Sequence, residues 1–396
     1  MVTIRNALPN RRMRRPGAAI ALIAPLALLG TAARPPQAER PSAYLFAWTN
    51  APESAYLATI DVGPGSPTRG QTVASLPVGI KNGRAHHTEH ELGPTGTLLA
   101  NLFETGRTFL FDVHDPLSPH VLSWFDGLGP FAHPHSFVRL QSGHILATFQ
   151  HAAGGDTAGG LIEFTPTGEV VRVSAPADAQ YQGFVRPYSL AVVARLDRVV
   201  TTGHDMHQGG TTRVVQVWRL SDLELLRTIE LPNGPRGVEG TDSGEPRLLA
   251  DGKTVLVATY RCGLFRLTHL DRPSPDVRLV HDFGGDDCAL PVLIDSFWIQ
   301  TVPPRSIVTL DVSRPEPREV GLLQLAAGDS PHWMAREPEG RRLAITGVEG
   351  LLGRILIARV ARDGQVTLDP GFVDAEGRPG IKMARGVPHG VVFSRP

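Results

Sequence analysis

The chain runs to 396 residues, with 39 basic side chains balanced by 39 acidic ones and only two cysteines. That balance argues against a nucleic acid or an anionic membrane as the main partner. Arginine supplies nearly all the positive charge, since Lys81, Lys253 and Lys382 are the only lysines. With 42 glycines and 34 prolines, this reads as a coding bias and carries no function.

The first predicted element is a leader over residues 1–33. Arg5, Arg11, Arg12, Arg14 and Arg15 form a basic opening without acids, Ala18 to Leu29 is apolar, and "GTAA" offers small residues for cleavage near Ala33. This is the three-part pattern of a secretory signal, and its apolar stretch is short for a membrane span. An uncleaved anchor is the competing reading, against which Pro25 and the short length argue. The paired arginines leave general secretion and twin-arginine export both open. Cleavage removes five arginines and no acid, so 34 basic residues then face 39 acids. The expected mature protein is periplasmic or secreted, without stable membrane insertion, and residues 34–42 form a linker.

Residues 43–396 carry short alternating runs separated by Gly, Pro, Asp and Asn: "AYLFAWTN", "YLATIDV", "TLLANLF", "TFLFDV", "HILATFQ", "VVQVWRL", "TVLVATY", "SIVTLDV" and "ILIARV" among them. Strands of this length and spacing point to an all-β sandwich, barrel or propeller. The runs come in pairs with a polar turn between them, the middle of a four-stranded blade repeated. Innermost strands are predicted to start near His86, His135, Tyr188, Pro246, Cys288, His332 and His389, at steps of 42 to 58 residues. Seven starts mean seven blades. The last run, "PHGVVFS", has no outer strands after it, and the first runs have no inner strand before them. The C-terminal strand is therefore expected to complete the N-terminal blade, which removes exposed edges.

Histidines stand at the start of four of these inner strands: His86 and His87 in "AHHTEH", His135 in "AHPHS", His332 in "SPHW" and His389 in "VPHG". A propeller gathers such positions around one axis, so they are expected to form a metal site on blades 7, 1, 2 and 3. Several neutral imidazoles suit copper, iron or zinc rather than calcium or magnesium. Strict alternation would aim only one of His86 and His87 at the axis, so both can ligate only from an irregular entering segment. Glu89 and His90 are candidates for a proton relay, and His133 for a place behind the ligands. His204 and His207 read as a loop cluster on the fourth blade. His114, His120, His144, His151, His269 and His281 read as exposed turn residues. Cys262 and Cys288 are free to bridge in an oxidising compartment, though their spacing does not place the sulfurs together.

Several segments resemble the selenium-binding protein and methanethiol oxidase family: the double histidine followed by "RTFLFDV", "PHSFVRLQSGHILATF", "SRPEPREVGLLQLAAGDSPHW", "EGRRLAIT" and "ILIARVARDGQVTLDPGFVDAEG" before a last histidine strand. Order and spacing carry the likeness. The resemblance implies a seven-bladed propeller and an exported copper enzyme that converts methanethiol, oxygen and water to formaldehyde, hydrogen sulfide and hydrogen peroxide. It also implies copper at His86, His87, His135 and His389, with His332 at a position less uniformly histidine. No cysteine follows the double histidine here, so selenium binding through that position is not expected.

The partners implied are a small thiol and O2. A thiolate is a soft ligand that binds an open copper position in its deprotonated form. Three rival readings remain. An iron oxygenase similar to the carotenoid-cleavage enzymes would want carboxylates behind the histidines, and none is located. A lactonase-type hydrolase would want a calcium site of acids and asparagine. A non-catalytic propeller would have no use for aligned histidines.

Overall fold

Alternation with period two only positions a strand if something covers the apolar face, and in this chain neighbouring sheets do so for one another. In the computed structural model, residues 43–396 are described apart from 156, 179–180, 182–183, 208–211 and 348–352. The leader and the linker, residues 1–42, lie outside them. Seven antiparallel sheets account for the strands, and a three-residue turn of 3-10 helix, Ala194–Leu196, is the only helical element among the described residues.

Blade 1 consists of Tyr44–Asn50, Tyr56–Asp61 and Thr72–Pro77, with Val387–Phe393 paired to its first strand as the innermost member. Blade 2 holds Ala85–Thr88, Thr97–Leu102, Thr108–Asp112 and His120–Phe125. Blade 3 runs from Phe131–Arg139 through Ile145–Ala152 and Ala158–Phe164 to Val170–Val173, with the short pair Gly127–Leu128 added. The inner strands of blades 4 to 7 are Pro187–Val193, Ser243–Leu248, Val292–Ile294 and Trp333–Arg336. The expected seven blades and the expected closure by the C-terminal strand are both present. An inner strand starts near six of the seven anticipated positions, and Cys288 precedes its strand by a short segment.

Burial follows position within a blade. The second and third strands are covered on both faces, as in Tyr56–Asp61 and Val255–Thr259, whereas outer strands such as His120–Phe125 alternate between exposed and half-buried. The apolar side chains fall into seven clusters, each between two consecutive blades. The cluster between blades 7 and 1 includes Val391 and Phe393 of the closing strand beside Trp333 and Ile357, while Val392 joins the cluster between blades 1 and 2. The C-terminal strand thus fastens two interfaces as well as one sheet. Burial of its apolar side chains, at about 25 cal/mol per Å² of area withdrawn from water, holds the ring shut.

One irregularity repeats and decides where function can sit. On the inner strands of blades 1 to 5, two residues oppose one on the neighbouring strand: His389–Gly390 against Trp48, His86–His87 against Asn101, His135–Ser136 against Thr148, Tyr188–Ser189 against Thr202, and Gly244–Glu245 against Ala258. These are β-bulges, which bend a strand and re-aim its side chains. The backbone donor freed by the bulge is recaptured by the side chain opposite. His87 N–H donates to Asn101 Oδ1 at 2.8 Å, and Ser136 and Ser189 N–H donate to Thr148 and Thr202 Oγ1, both at 3.1 Å.

Candidate metal centre

The bulges resolve the question raised by the double histidine. His86 and His87 both belong to the strand Ala85–Thr88, and the bulge lets two consecutive side chains face the axis together. Their rings stack at 4.0 Å with 9° between planes. The His135 ring lies 5.1 Å from that of His86 and 4.2 Å from that of His87, and ligand nitrogens of all three fall within 4.8 Å of one another. His389 is next, 4.8 Å from His86. His332 precedes the regular strand of blade 7 and approaches the group through His389, ring to ring at 5.0 Å.

Hydrogen bonds leave the coordinating nitrogens bare. His135 Nδ1–H donates to the Tyr188 carbonyl at 2.7 Å, and His389 Nδ1–H donates to the Ala85 carbonyl at 3.3 Å. Each bond fixes the tautomer and turns an Nε2 lone pair inward, as metal-binding imidazoles require. His135 Nε2, His389 Nε2, His86 Nδ1 and both ring nitrogens of His87 are buried without a hydrogen-bond partner. Burial, reinforced by neighbouring imidazoles, holds His86, His87 and His389 well below the usual histidine range. Burial likewise takes His135 down to about 3 and His332 to about 4. All five are therefore neutral at physiological pH. So many orphaned polar atoms at the core of a folded ring would cost stability with nothing to satisfy them, and a transition-metal ion satisfies them. The residues fit that ion.

The candidate relay residues part company. Glu89 is 3% exposed, and its carboxylate takes two hydrogen bonds from Arg139, at 2.7 and 2.9 Å, and one from Leu99 N–H at 2.9 Å. Burial raises its pKa and Arg139 opposes the rise. His90 stacks on Trp333 at 4.9 Å, and its Nε2 stands 3.4 Å from Glu245 Oε2. Trp333 in turn lies 4.8 Å from His87. Glu245 is 2% exposed and is also bonded to Ser189 Oγ and Arg247, which with His90 hold it strongly ionised against its burial.

Glu245, beside His90, is a carboxylate that the sequence did not locate behind the histidines. It occupies the second position of the blade 5 bulge, the place that Ser136 and Gly390 hold beside the histidines of blades 3 and 1. Tyr188 and Tyr260 were also missed. Their hydroxyls bond to each other, and the Tyr188 ring lies 3.9 Å from His135. His151 is likewise no exposed turn residue. It is 7% exposed within Ile145–Ala152 and bonded through Nε2 to His207 at 2.8 Å and through Nδ1 to Arg186 at 2.8 Å. His133, which stood as a candidate behind the ligands, joins His151 and His207 instead, 5.1 and 4.7 Å ring to ring. His204 sits on the expected turn but faces inward, stacked on Tyr260 at 4.8 Å. Cys262 and Cys288, left open by their spacing, are bridged.

Two cavities flank the cluster. One, of about 450 Å³, lies where the inner strands begin and is lined by His86, His332, His389 and His204 among others. The other, about 400 Å³, lies where the inner strands end, with His90, Arg247 and Arg336 in its wall.

A seven-bladed propeller with a buried polyhistidine cluster at one end of its axis is thus the class of protein that fold and site define. No family model matches the chain. A methanethiol oxidase from Ruegeria pomeroyi is 34% identical over 144 residues, a stretch that covers 32% of this chain and 31% of that protein. A methanethiol oxidase from a Hyphomicrobium species is 22% identical over 339 residues, 76% of this chain and 75% of its own. Among solved structures, a hypothetical selenium-binding protein from Sulfolobus tokodaii superposes with a TM-score of 0.74 at 13% identity, covering 90% of this chain and 97% of that one. A periplasmic gluconolactonase from Pseudomonas aeruginosa gives 0.64 at 14%, covering 89% and 99%, which shows the shared propeller fold. The chain is thus similar in sequence to methanethiol oxidases and in fold to a selenium-binding protein.

Proposed function

We propose that the chain is an exported, copper-dependent oxidase of a small thiol. The observation that carries this reading is the cluster of neutral imidazoles at His86, His87, His135 and His389, with bare nitrogens, of which His86 and His389 also line a cavity of small-molecule size. His332 stands at the cavity side of that set. Copper, when bound there, supplies a one-electron acceptor and a soft site for a thiolate. The balanced reaction takes thiol, oxygen and water to aldehyde, hydrogen sulfide and hydrogen peroxide.

The protein's own part is positional and protonic. The Tyr188 and Ala85 carbonyls lock two of the imidazoles in ligating tautomers. Trp333 walls the cluster and orients His90, whose contact with Glu245 and position at the second cavity suit it to carrying a proton away from the site. Glu89, engaged by Arg139, holds the strand that bears the double histidine and supports the relay by position rather than by transfer. The iron-oxygenase alternative draws less support, because the imidazoles of His135 and His389 lean on backbone carbonyls instead of carboxylates.

Elemental analysis and an EPR spectrum of the protein as isolated test the reading. The expected result is about one copper per chain, with the hyperfine pattern of nitrogen ligation, and oxygen-dependent release of sulfide and peroxide from a short thiol. Stoichiometric iron would transfer the site to the oxygenase reading. Absence of any bound metal, or copper without thiol turnover, would overturn the oxidase.

A further inference from the structure

The cavity beside the cluster has two chemically different walls. Blades 7, 1 and 2 present His332, His389 and His86. Across the ring, the turn after the second strand of blade 4, the start of blade 5 and the segment leading into blade 6 present His204, Asp242, Tyr260 and the adjacent Asp286 and Asp287. A two-heavy-atom thiol fills only a few times the ~30 Å³ share of a water molecule, so most of this space of about 450 Å³ lies beyond its reach.

Charge on the acidic wall is not balanced from within. Arg84 is paired with Glu104 at 3.2 Å. Arg261 is shared between Asp286 at 3.2 Å and Asp242 at 3.6 Å, one guanidinium for two carboxylates. Asp287, an exposed residue at the rim of the cavity, makes no side-chain hydrogen bond or ion pair among the described residues, and partial desolvation pushes its carboxyl up, with Arg261 opposing. Asp242 is 6% exposed, yet its Oδ1 accepts no hydrogen bond, and the nearest donor candidate, His204 Nδ1 at 3.5 Å, is also without one. A buried carboxylate oxygen in the condition of Asp242 Oδ1 is costly unless a donor or a cation completes it. The wall is also stiff. The Cys262–Cys288 bridge and the bond from Cys288 N–H to the Tyr260 carbonyl, 3.0 Å, clamp together the two segments that carry Tyr260 and Asp287. Rigid, incompletely satisfied acids facing a ligand cavity are a preorganised cation subsite.

We propose that the substrate of this site is an aminothiol, with its sulfur directed to the histidine wall and its ammonium group held between Asp242 and Asp287. This rests on the thiol reading above and adds the substrate class. A neutral alkanethiol would reach the histidines but leave the acids unsatisfied, and a carboxylate-bearing thiol would meet repulsion there.

The test uses the full chain loaded with zinc(II), which accepts imidazole and thiolate ligands without oxidising them. Anaerobic calorimetry with cysteamine, ethanethiol and 3-mercaptopropionate is expected to show cysteamine binding at least tenfold tighter than ethanethiol, with 3-mercaptopropionate weakest. Asp287→Asn and Asp242→Asn should each collapse the cysteamine-to-ethanethiol ratio towards unity, and Asp295→Asn at the opposite mouth should leave the ratio as it was. Equal affinity for the three thiols, or preference for the acid, overturns the aminothiol assignment while the thiol site stands. A second arm removes sulfur altogether. n-Butylammonium should bind the metal-free chain, seen by saturation-transfer NMR, and lose that signal in the Asp242→Asn, Asp287→Asn double variant. Butylammonium bound with no thiol bound sinks the thiol reading and keeps the cation subsite, whereas no butylammonium signal sinks the subsite whatever the thiols do.

Discussion

The inner strands of blades 1 to 5 and those of blades 6 and 7 solve the same problem differently. Each must line the axis from one mouth of the channel to the other, in register with the next strand of its blade. In blades 6 and 7 the paired residues keep strict one-to-one register, Val292 to Ile299 and Trp333 to Thr346 onward. In the other five a bulge intervenes at one position, and three of those bulges carry histidine while another carries Glu245. A regular strand aims alternate side chains inward, so it offers a central site one residue at a time. A bulged strand aims two adjacent residues at the axis and tilts both. The cluster of imidazoles exists on the bulged side of the ring because that side can crowd nitrogens closer than alternation allows. His332, at the end of a regular ladder, touches the cluster only at its edge.

The harshest way to break this comparison is to remove one bulged strand entirely. Deleting Val387–Pro396 takes away the inner strand of blade 1, apolar side chains from two of the seven interfaces, and His389. The expected product has no cooperative melting transition and no bound metal, judged by circular dichroism and elemental analysis. A truncated chain that melts as the full chain does would show that closure contributes little.

How much of this was legible follows from what leaves a period. Seven blades, their order and the C-terminal closure were readable because strand runs and polar turns repeat at steps of 42 to 58 residues. The histidines were readable because His135 and His389 share the "PH" step and sit at matching points of the repeat. The bulges were not. A single extra residue leaves no trace in hydrophobic alternation, and its signature is the Asn101, Thr148 or Thr202 side chain on the next strand, which looks like any polar residue in a buried run. For the same reason Glu245 was passed over: "SGEPRL" carries no histidine, and its Gly244–Glu245 pair fills a bulge equivalent to His389–Gly390 with the functional side chain at the second position rather than the first. The cysteine bridge needed three dimensions, since 26 residues separate the sulfurs in sequence. His151 and His207 meet across two blades, and no local pattern announces that.

A sharper form of the comparison exchanges single ligands. His135→Ala removes an imidazole from the bulged group and should weaken metal binding by at least tenfold, on the scale of losing one of three or four first-row metal ligands. His332→Ala removes the imidazole presented by a regular strand and should cost only about threefold, because neighbouring nitrogens already complete the site. Both variants should melt close to the parent in the metal-free state at neutral pH, and gain on it only below the ordinary histidine pKa, where the parent's neutral buried imidazoles favour the protonated unfolded chain. Competition titration against a chelator of known affinity reads the difference. Equal losses would place His332 inside the coordination group and dissolve the distinction between the two kinds of strand.

The smallest effect isolates the bulge from its cargo. Thr148 Oγ1 accepts from Ser136 N–H at 3.1 Å and donates to the Tyr188 carbonyl at 2.8 Å, the same carbonyl that receives His135 Nδ1–H. Thr301 does a matching job in blade 6, where its Oγ1 accepts from Ala289 N–H at 3.1 Å, but no histidine stands there. Valine has the shape of threonine without the hydroxyl, so Thr148→Val and Thr301→Val each strip a buried N–H of its acceptor, a loss of about 1–2 kcal/mol by the usual cost of an unsatisfied donor. Their melting temperatures should therefore fall together. Metal affinity should not. In Thr148→Val the Tyr188 carbonyl and the bulge that tilts His135 both lose a restraint, so the ligating nitrogen wanders and affinity drops about threefold, a coupling of roughly 0.7 kcal/mol of the kind that partners behind a metal ligand supply. Thr301→Val leaves the imidazoles as they were, and its affinity should match the parent. If the two variants lose metal equally, the bulges shape the ring and not the site.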